Sequence, residues 1–176
     1  MNKDPQISIG RTLVAISEKD ILNALNAWGD ALILISNAYE VDGINHARLA
    51  ASEVLDSAYG FDLGPVLFKP TLSGGETTFR TTKDGALSYF VGHDPNYPLD
   101  SGFGIKGWRK VTSETAAQFI HGDIAMWTGW VTMTDKDGQV TKVDKSFGYK
   151  RSGNGSLKIV LHHSSLPYSP EQVSKI

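Results

Sequence analysis

Apolar side chains recur at three- and four-residue steps through Ile21, Leu25, Trp28, Leu32, Ile35 and Tyr39, the repeat that lays one apolar stripe along a helix. Ser17 and Asp20 stand ahead of it in capping-box spacing, so the pattern predicts a helix from Ser17 to about Tyr39. A second helix, from near Asp42 to Tyr59, is predicted because Ile44, Ala47, Ala51, Val54 and Ala58 share a face and Gly60 is placed to end it. From Val66 the period shortens. Val66–Leu72 and Thr77–Arg80 are β-rich runs separated by Ser73-Gly74-Gly75-Glu76, which predicts a hairpin. A short helix capped by Thr82 fits Lys83–Val91. Gly92–Gly107 is dense in turn formers and reads as a long ordered loop, the candidate lid.

The remaining chain alternates as antiparallel strands: about Trp108–Glu114, Ala116–His121, Asp123–Thr134, Val140–Arg151 and Leu157–Leu166. Asp137-Gly138 and Gly153-Asn154-Gly155 mark two tight connections. Helices first and long strands last predict an α+β domain, with three helices packed on one side of a curved antiparallel sheet. Along Asp123–Thr134 one face carries Ala125, Trp127, Val131 and Met133, and the other Ile124, Met126 and Trp130. Neither face is polar, and helices cover only one. A second subunit is therefore expected on the other, in a homodimer or larger assembly.

At 176 residues the chain is one domain, read as residues 17–168 with an N-terminal extension (1–16) and a C-terminal tail (169–176). Lys+Arg 17 against Asp+Glu 19 leaves a net charge of -2, with no cationic surplus to displace counterions from a nucleic acid. The absence of Cys removes disulfides, thiolate metal sites and thiol nucleophiles. No apolar run approaches the length needed to cross a bilayer, and Met1–Gly10 lacks the apolar core of a secretory signal. The sequence as it stands reads as cytoplasmic, or as periplasmic or secreted if a signal segment has been removed.

Chemistry must then come from His, carboxylates, hydroxyls or Lys and Arg. Gly102-Phe103-Gly104-Ile105-Lys106-Gly107 has dinucleotide-binding spacing, but it follows a loop and leads into a strand, where the motif has no mechanical meaning. No Gly-x-Ser-x-Gly elbow occurs. His162 and His163 are adjacent on a strand and point to opposite faces, so they do not ligate one ion together. Leu157, Ile159 and Leu161 share one parity with His163 and Ser165. Strict alternation therefore turns His163 and Ser165 inward, either to hydrogen-bond neighbouring backbone or as the polar floor of an otherwise apolar cavity holding a small molecule. The same alternation puts Thr71 outward with Lys69 unless Pro70 bulges the strand. No inward acidic residue is found to serve an isomerase or dehydratase as base.

Phe68-Lys69-Pro70-Thr71-Leu72, Phe79-Arg80-Thr81-Thr82, Gly85–Gly92 and His162-His163-Ser164-Ser165-Leu166-Pro167 together resemble bacterial relatives of the calcium/calmodulin-dependent kinase II association domain. These lie among the nuclear transport factor 2-like and SnoaL-like cone folds. Within that group the terminal run resembles the signature of iota-class carbonic anhydrases, which hydrate carbon dioxide reversibly. The resemblance spans roughly Ser17 to Tyr168 and implies cavity residues at Thr71, Tyr89, His163 and Ser165, with Leu161 standing where the longer signature has a third His. It implies His163 as base or proton shuttle, with Ser165, Thr71 and Tyr89 orienting water and bicarbonate. Metal use varies within the class. Bound zinc lowers the pKa of water from ~15.7 to ~7, roughly 12 kcal/mol, which hydroxyls and one imidazole do not supply. A metal-free site must instead attack with neutral water while a base takes a proton. No metal or other cofactor is assigned from these residues. A non-enzymatic pocket for a carboxylate or anion, or an oligomerisation hub, are the alternatives on the same fold.

Overall fold

The computed structural model describes residues 14–170. Helix α1 (Glu18–Ala58) starts where the pattern places it: Ser17 Oγ accepts from the Asp20 N–H, and the Asp20 carboxylate accepts from the Ser17 N–H. The two helices expected from the pattern are two arms of this one element, bent at Gly43, whose φ of 74° is not helical. Ile21, Leu25, Trp28, Leu32 and Ile35 of the first arm and Ala47, Ala51 and Leu55 of the second are buried. Ile16, just ahead of the cap, is also in the core.

Strands β1 (Leu67–Lys69), β2 (Trp108–His121), β3 (Ile124–Asp135), β4 (Val140–Arg151) and β5 (Leu157–Ser165) form one sheet in the order β1-β5-β4-β3-β2. The expected hairpin at Val66–Arg80 is absent. Only β1 is a strand, it runs parallel to β5, and Gly75–Thr77 is a 3-10 turn. Pro70 has no N–H to continue a ladder, and the Ser73 hydroxyl bonds the carbonyls of Pro70 and Thr78, closing a loop instead. One bond of a hairpin survives, from the Arg80 N–H to the Phe68 carbonyl. Helix α2 (Lys83–Val91) carries the expected Thr82 cap.

Trp108–His121 is one strand rather than two, with a register shift between Thr115 and Ala117 where the break was expected. A bulge of this kind adds twist and bends the sheet around the helices. Along β3, Ala125, Trp127, Val131 and Met133 are buried on the inner face, whereas Ile124 and Met126 are exposed on the outer face. The result is an α+β cone: a curved sheet whose concave side holds both arms of α1, α2 and the 92–107 segment. That segment is ordered, fastened by the Trp108 Nε1–H to the Phe103 carbonyl and by Asp100 to Arg80 and Ser88. Its glycine motif forms a 3-10 turn leading into β2, not the strand-to-helix crossover of a nucleotide site.

Candidate functional site

The end of β5 does not keep strict alternation. Gly148 pairs with Leu161, but Tyr149 pairs with Ile159, so Val160 is an extra residue in β5 and the phase flips after it. Ile159 faces inward before the bulge, and His162 and Ser164 face inward after it. The expectation that His163 and Ser165 turn inward is thereby corrected. His163 is exposed, and Ser165 is half-buried with its hydroxyl donating to the Asp144 carboxylate at 2.7 Å. The missed signal is Gly148: glycine inside a strand often marks a bulge or a close approach, and a Cβ there would meet the Leu161 Cβ at 2.9 Å.

Thr71, placed outward by alternation, is buried. It lies past the end of β1, beyond Pro70, where the chain has left the strand. Its Oγ1 sits 2.6 Å from Ser164 Oγ, and Ser164 Oγ also donates to the Asp144 carbonyl at 3.3 Å. Tyr89 reaches the same place from α2. Its hydroxyl is buried toward Thr71 and the Leu72 backbone but completes no hydrogen bond among the described residues. Burial pushes the Tyr89 hydroxyl pKa up, so this phenol keeps its proton and is a donor. Of the four residues implied by resemblance, the structure brings together Thr71 and Tyr89, and it joins them to Ser164 rather than to His163 and Ser165.

Behind this hydroxyl group lies a buried chain of polar atoms. His162, 1 % exposed, stacks on Phe68 with ring centroids 4.4 Å apart and packs against Phe147. Its Nδ1 is 2.9 Å from the Tyr59 hydroxyl, which accepts from the Trp28 Nε1–H at 3.1 Å. Its Nε2 is 2.9 Å from Lys145 Nζ. Burial, then the nearby charges of Lys145 and His163, hold the His162 ring well below the ordinary histidine pKa, so it is neutral at pH 7. Burial likewise brings Lys145 down to about 7, with Lys69 adding to the shift and Asp144 opposing it. Sequence reasoning missed Lys145 because the charges of Lys136–Lys145 look like the solvated edge of a hairpin, as alternating signs in exposed strands usually are. Its register opposite Ser164 is visible only once the bulge is known.

A small cleft beside Tyr89, lined by Leu72, Leu99, Asp100, Gly102 and Phe103, encloses about 10 Å³, roughly the space of one water. Asp100 also corrects the expectation that no acid faces inward. Its carboxylate is buried, but Arg80 Nη2 and Ser88 Oγ occupy it. Among the described residues no three His, Asp or Glu side chains come close enough together to hold a metal ion.

Comparison with known proteins places the fold first. A nuclear transport factor 2-like protein of unknown function from Pseudomonas putida KT2440 aligns with a TM-score of 0.54 at 14% identity, over 88% of this chain and 89% of that one. A protein from Xanthomonas campestris described as a calcium/calmodulin-dependent protein kinase II association domain aligns at 0.52 and 20% identity, over 93% and 99%. The cone fold is thus that of the nuclear transport factor 2-like class. The family is narrower. A profile described as metal-independent carbonic anhydrase matches residues 19–166. A metal-independent carbonic anhydrase of Nostoc sp. (strain PCC 7120) is 50% identical over 154 residues, 88% of this chain and 75% of the relative. The crystal structure of a cyanobacterial iota-carbonic anhydrase complexed with bicarbonate aligns with a TM-score of 0.88 at 47% identity, over 96% and 99% of the two chains. The chain belongs to the metal-independent carbonic anhydrases.

Proposed function

We propose that this chain hydrates carbon dioxide reversibly at the hydroxyl group of Thr71, Ser164 and Tyr89, with no metal in the step. The observation that carries this reading is the buried Thr71–Ser164 pair at 2.6 Å beside a Tyr89 hydroxyl that lacks a partner among the described residues. Buried polar groups are normally satisfied, and an unpartnered donor turned toward Thr71, itself paired with Ser164, suits an oxygen-rich ligand. Bicarbonate is bound by the cyanobacterial relative and is such a ligand. A neutral water attacks the carbon of carbon dioxide, and negative charge grows on the two outer oxygens. Hydroxyl donors fixed in a water-poor surround stabilise that charge without having to reorganise. Tyr89 donates throughout because its proton is held. Thr71 and Ser164 rotate between accepting from the water and donating to the product.

In this reading His163 and Ser165 lie outside the reacting group, and the water-orienting role first drawn for Ser165 passes to Ser164. Stopped-flow hydration assays test it. Ser164→Ala and Tyr89→Phe are each expected to lose about 10²–10³-fold in kcat, while His163→Ala stays within a few-fold of the parent. A parent protein no faster than background, or a Ser164→Ala variant at full rate, overturns it. We also infer that two copies associate through the outer sheet face, where Phe119, Ile124 and Met126 are exposed.

A further inference from the structure

Carbon dioxide hydration releases a proton, and the three hydroxyls have no means of keeping it. The buried chain behind them does. Trp28 Nε1–H is only a donor, and it gives its hydrogen bond to the Tyr59 oxygen. Tyr59 then has its own O–H to place, and His162 Nδ1 at 2.9 Å is the acceptor in reach. A neutral imidazole accepting at Nδ1 carries its proton on Nε2. That Nε2–H points at Lys145 Nζ, 2.9 Å away, and a nitrogen that accepts a hydrogen bond is an amine, not an ammonium. The opposite arrangement, ammonium to Nε2 and Nδ1–H to Tyr59, gives the Tyr59 oxygen two donors and leaves its proton buried without an acceptor. It also leaves a buried cation without an ion pair among the described residues.

The groups facing Lys145 set a balance between these states. From α1, the Trp28 ring lies 4.6 Å below Nζ, and Phe147 of the same strand is 5.9 Å away. Both favour a cation. Asp144 on its own strand favours the cation too, while Lys69 of β1 and burial oppose it. From β5 come His162, kept neutral, and Ser164, the direct cross-strand partner of Lys145. Paired residues of adjacent strands project side by side, so the amine stem and the Ser164 hydroxyl leave the sheet together.

We propose that Lys145 rests as a neutral amine and stores the proton released when carbon dioxide is hydrated. This rests on the hydration reading above. The C–O bond forms between water and carbon dioxide, one O–H bond of that water breaks, and the proton ends on Nζ. Amine, water and carbon dioxide become ammonium and bicarbonate, and no electrons are transferred. The site's net charge is unchanged, because the new cation offsets the new anion in surroundings where neither is tolerated alone. With Nζ charged, His162 exchanges tautomer: Nε2 becomes the acceptor and the single ring proton moves to Nδ1. The amine is regenerated when the proton leaves to solvent. The pKa of about 7 that burial gives Lys145 suits a group that must both take and return a proton near neutrality.

Nitrogen-15 NMR on the full chain with labelled lysine and histidine tests the resting state without any variant. The Lys145 signal is expected to pass from ammonium to amine with a midpoint near pH 7, and the His162 tautomer to switch at the same pH while the ring stays neutral. Stopped-flow hydration is expected to rise with pH over that midpoint. Lys145→Met and Lys145→Arg, each confirmed folded by circular dichroism, should lose that limb and about 10²-fold or more in kcat. An ammonium signal persisting to pH 9 overturns the proposal, as does a pH limb that survives in Lys145→Met while the parent is active. A parent with no hydration overturns the functional reading as well, and is told apart by that result.

Discussion

Arg80 and Asp100 are the clearest place to ask what one residue contributes. Both side chains are almost wholly enclosed, with Nη2 and Oδ1 2.8 Å apart, and Ser88 Oγ donates to the second carboxylate oxygen at 2.6 Å. The guanidinium also lies 4.5 Å from the centre of the Tyr97 ring, and its Nε and Nη1 have no partner among the described residues. Removing the carboxylate charge leaves an uncompensated cation in the interior, which costs about 3–5 kcal/mol. Asp100→Asn is therefore expected to lower the urea midpoint strongly at unchanged m-value. Replacing both partners, as in Arg80→Met with Asp100→Leu, should recover much of the loss, because a pair of apolar side chains leaves no stranded charge. A single variant as stable as the parent would show that solvent reaches the pair. At this scale the sequence is legible only in part. Thr71 and Tyr89 could be named from their motifs, since type and order are local properties. Which of His162 and His163 looks inward could not be read, because Val160 shifts the phase of β5 and nothing within the alternation of Leu157, Ile159 and Leu161 announces an extra residue. Gly148 announces it, but from the neighbouring strand.

Whole elements were easier to read where their signals are local. Lys83–Val91 has a threonine cap, and Val140–Arg151 is a clean alternating run ending at tight turns, and both stand as the pattern has them. The failure at Val66–Arg80 has a physical cause: a turn-rich stretch suits a hairpin equally well as a loop closed by Ser73, and Pro70 decides between them. The long helix poses the opposite case, two stripes joined by one bend. Gly43 has φ 74° and ψ −161°, a conformation that is almost exclusively glycine's. A Cβ there would meet nothing within 4 Å, so the cost of substitution is backbone strain alone. Gly43→Ala is expected to lose about 1–3 kcal/mol, seen as a lower urea midpoint, with hydrogen exchange quickened in both arms near the bend. Unchanged stability would mean the two arms straighten without penalty, which their shared packing on the sheet argues against. That packing matters to the site, because the first arm carries Trp28 and the C-terminal end of the second leads into Tyr59, the two groups that fix the orientation of His162.

At the scale of the whole molecule the sheet has two unlike sides. The concave side is filled by helices and holds the polar cluster. The outer side presents a row that crosses the strands from Phe119 to its partner Met126 and then to Gly148 and Leu161. Phe119 is 59 % and Met126 53 % exposed. Beside this row lies a hollow of about 320 Å³, walled by Phe119, Met126, Phe147 and Leu161 among others. A projecting apolar ridge beside an apolar hollow on one face is self-complementary under a two-fold axis, since the ridge of each copy meets the hollow of the other. A net charge of -2 offers little repulsion between copies. The wild-type chain is therefore expected to sediment as a dimer, twice its 19.1 kDa. Met126→Lys should sediment as a monomer with its circular dichroism unchanged, because a lysine on this face buries an unpaired charge in the contact while leaving the concave core untouched. A wild-type monomer at tens of micromolar, or a Met126→Lys dimer, would move the contact elsewhere. The bulge at Val160 links the two sides: Gly148, beside it, sits against Leu161 in the wall of the outer hollow, and the phase shift the bulge causes turns His162 and Ser164 into the core. Gly148→Ala presses on Leu161, a wall of that hollow, so it is expected to disturb dimerisation and hydration together, whereas Met126→Lys disturbs the contact without displacing β5.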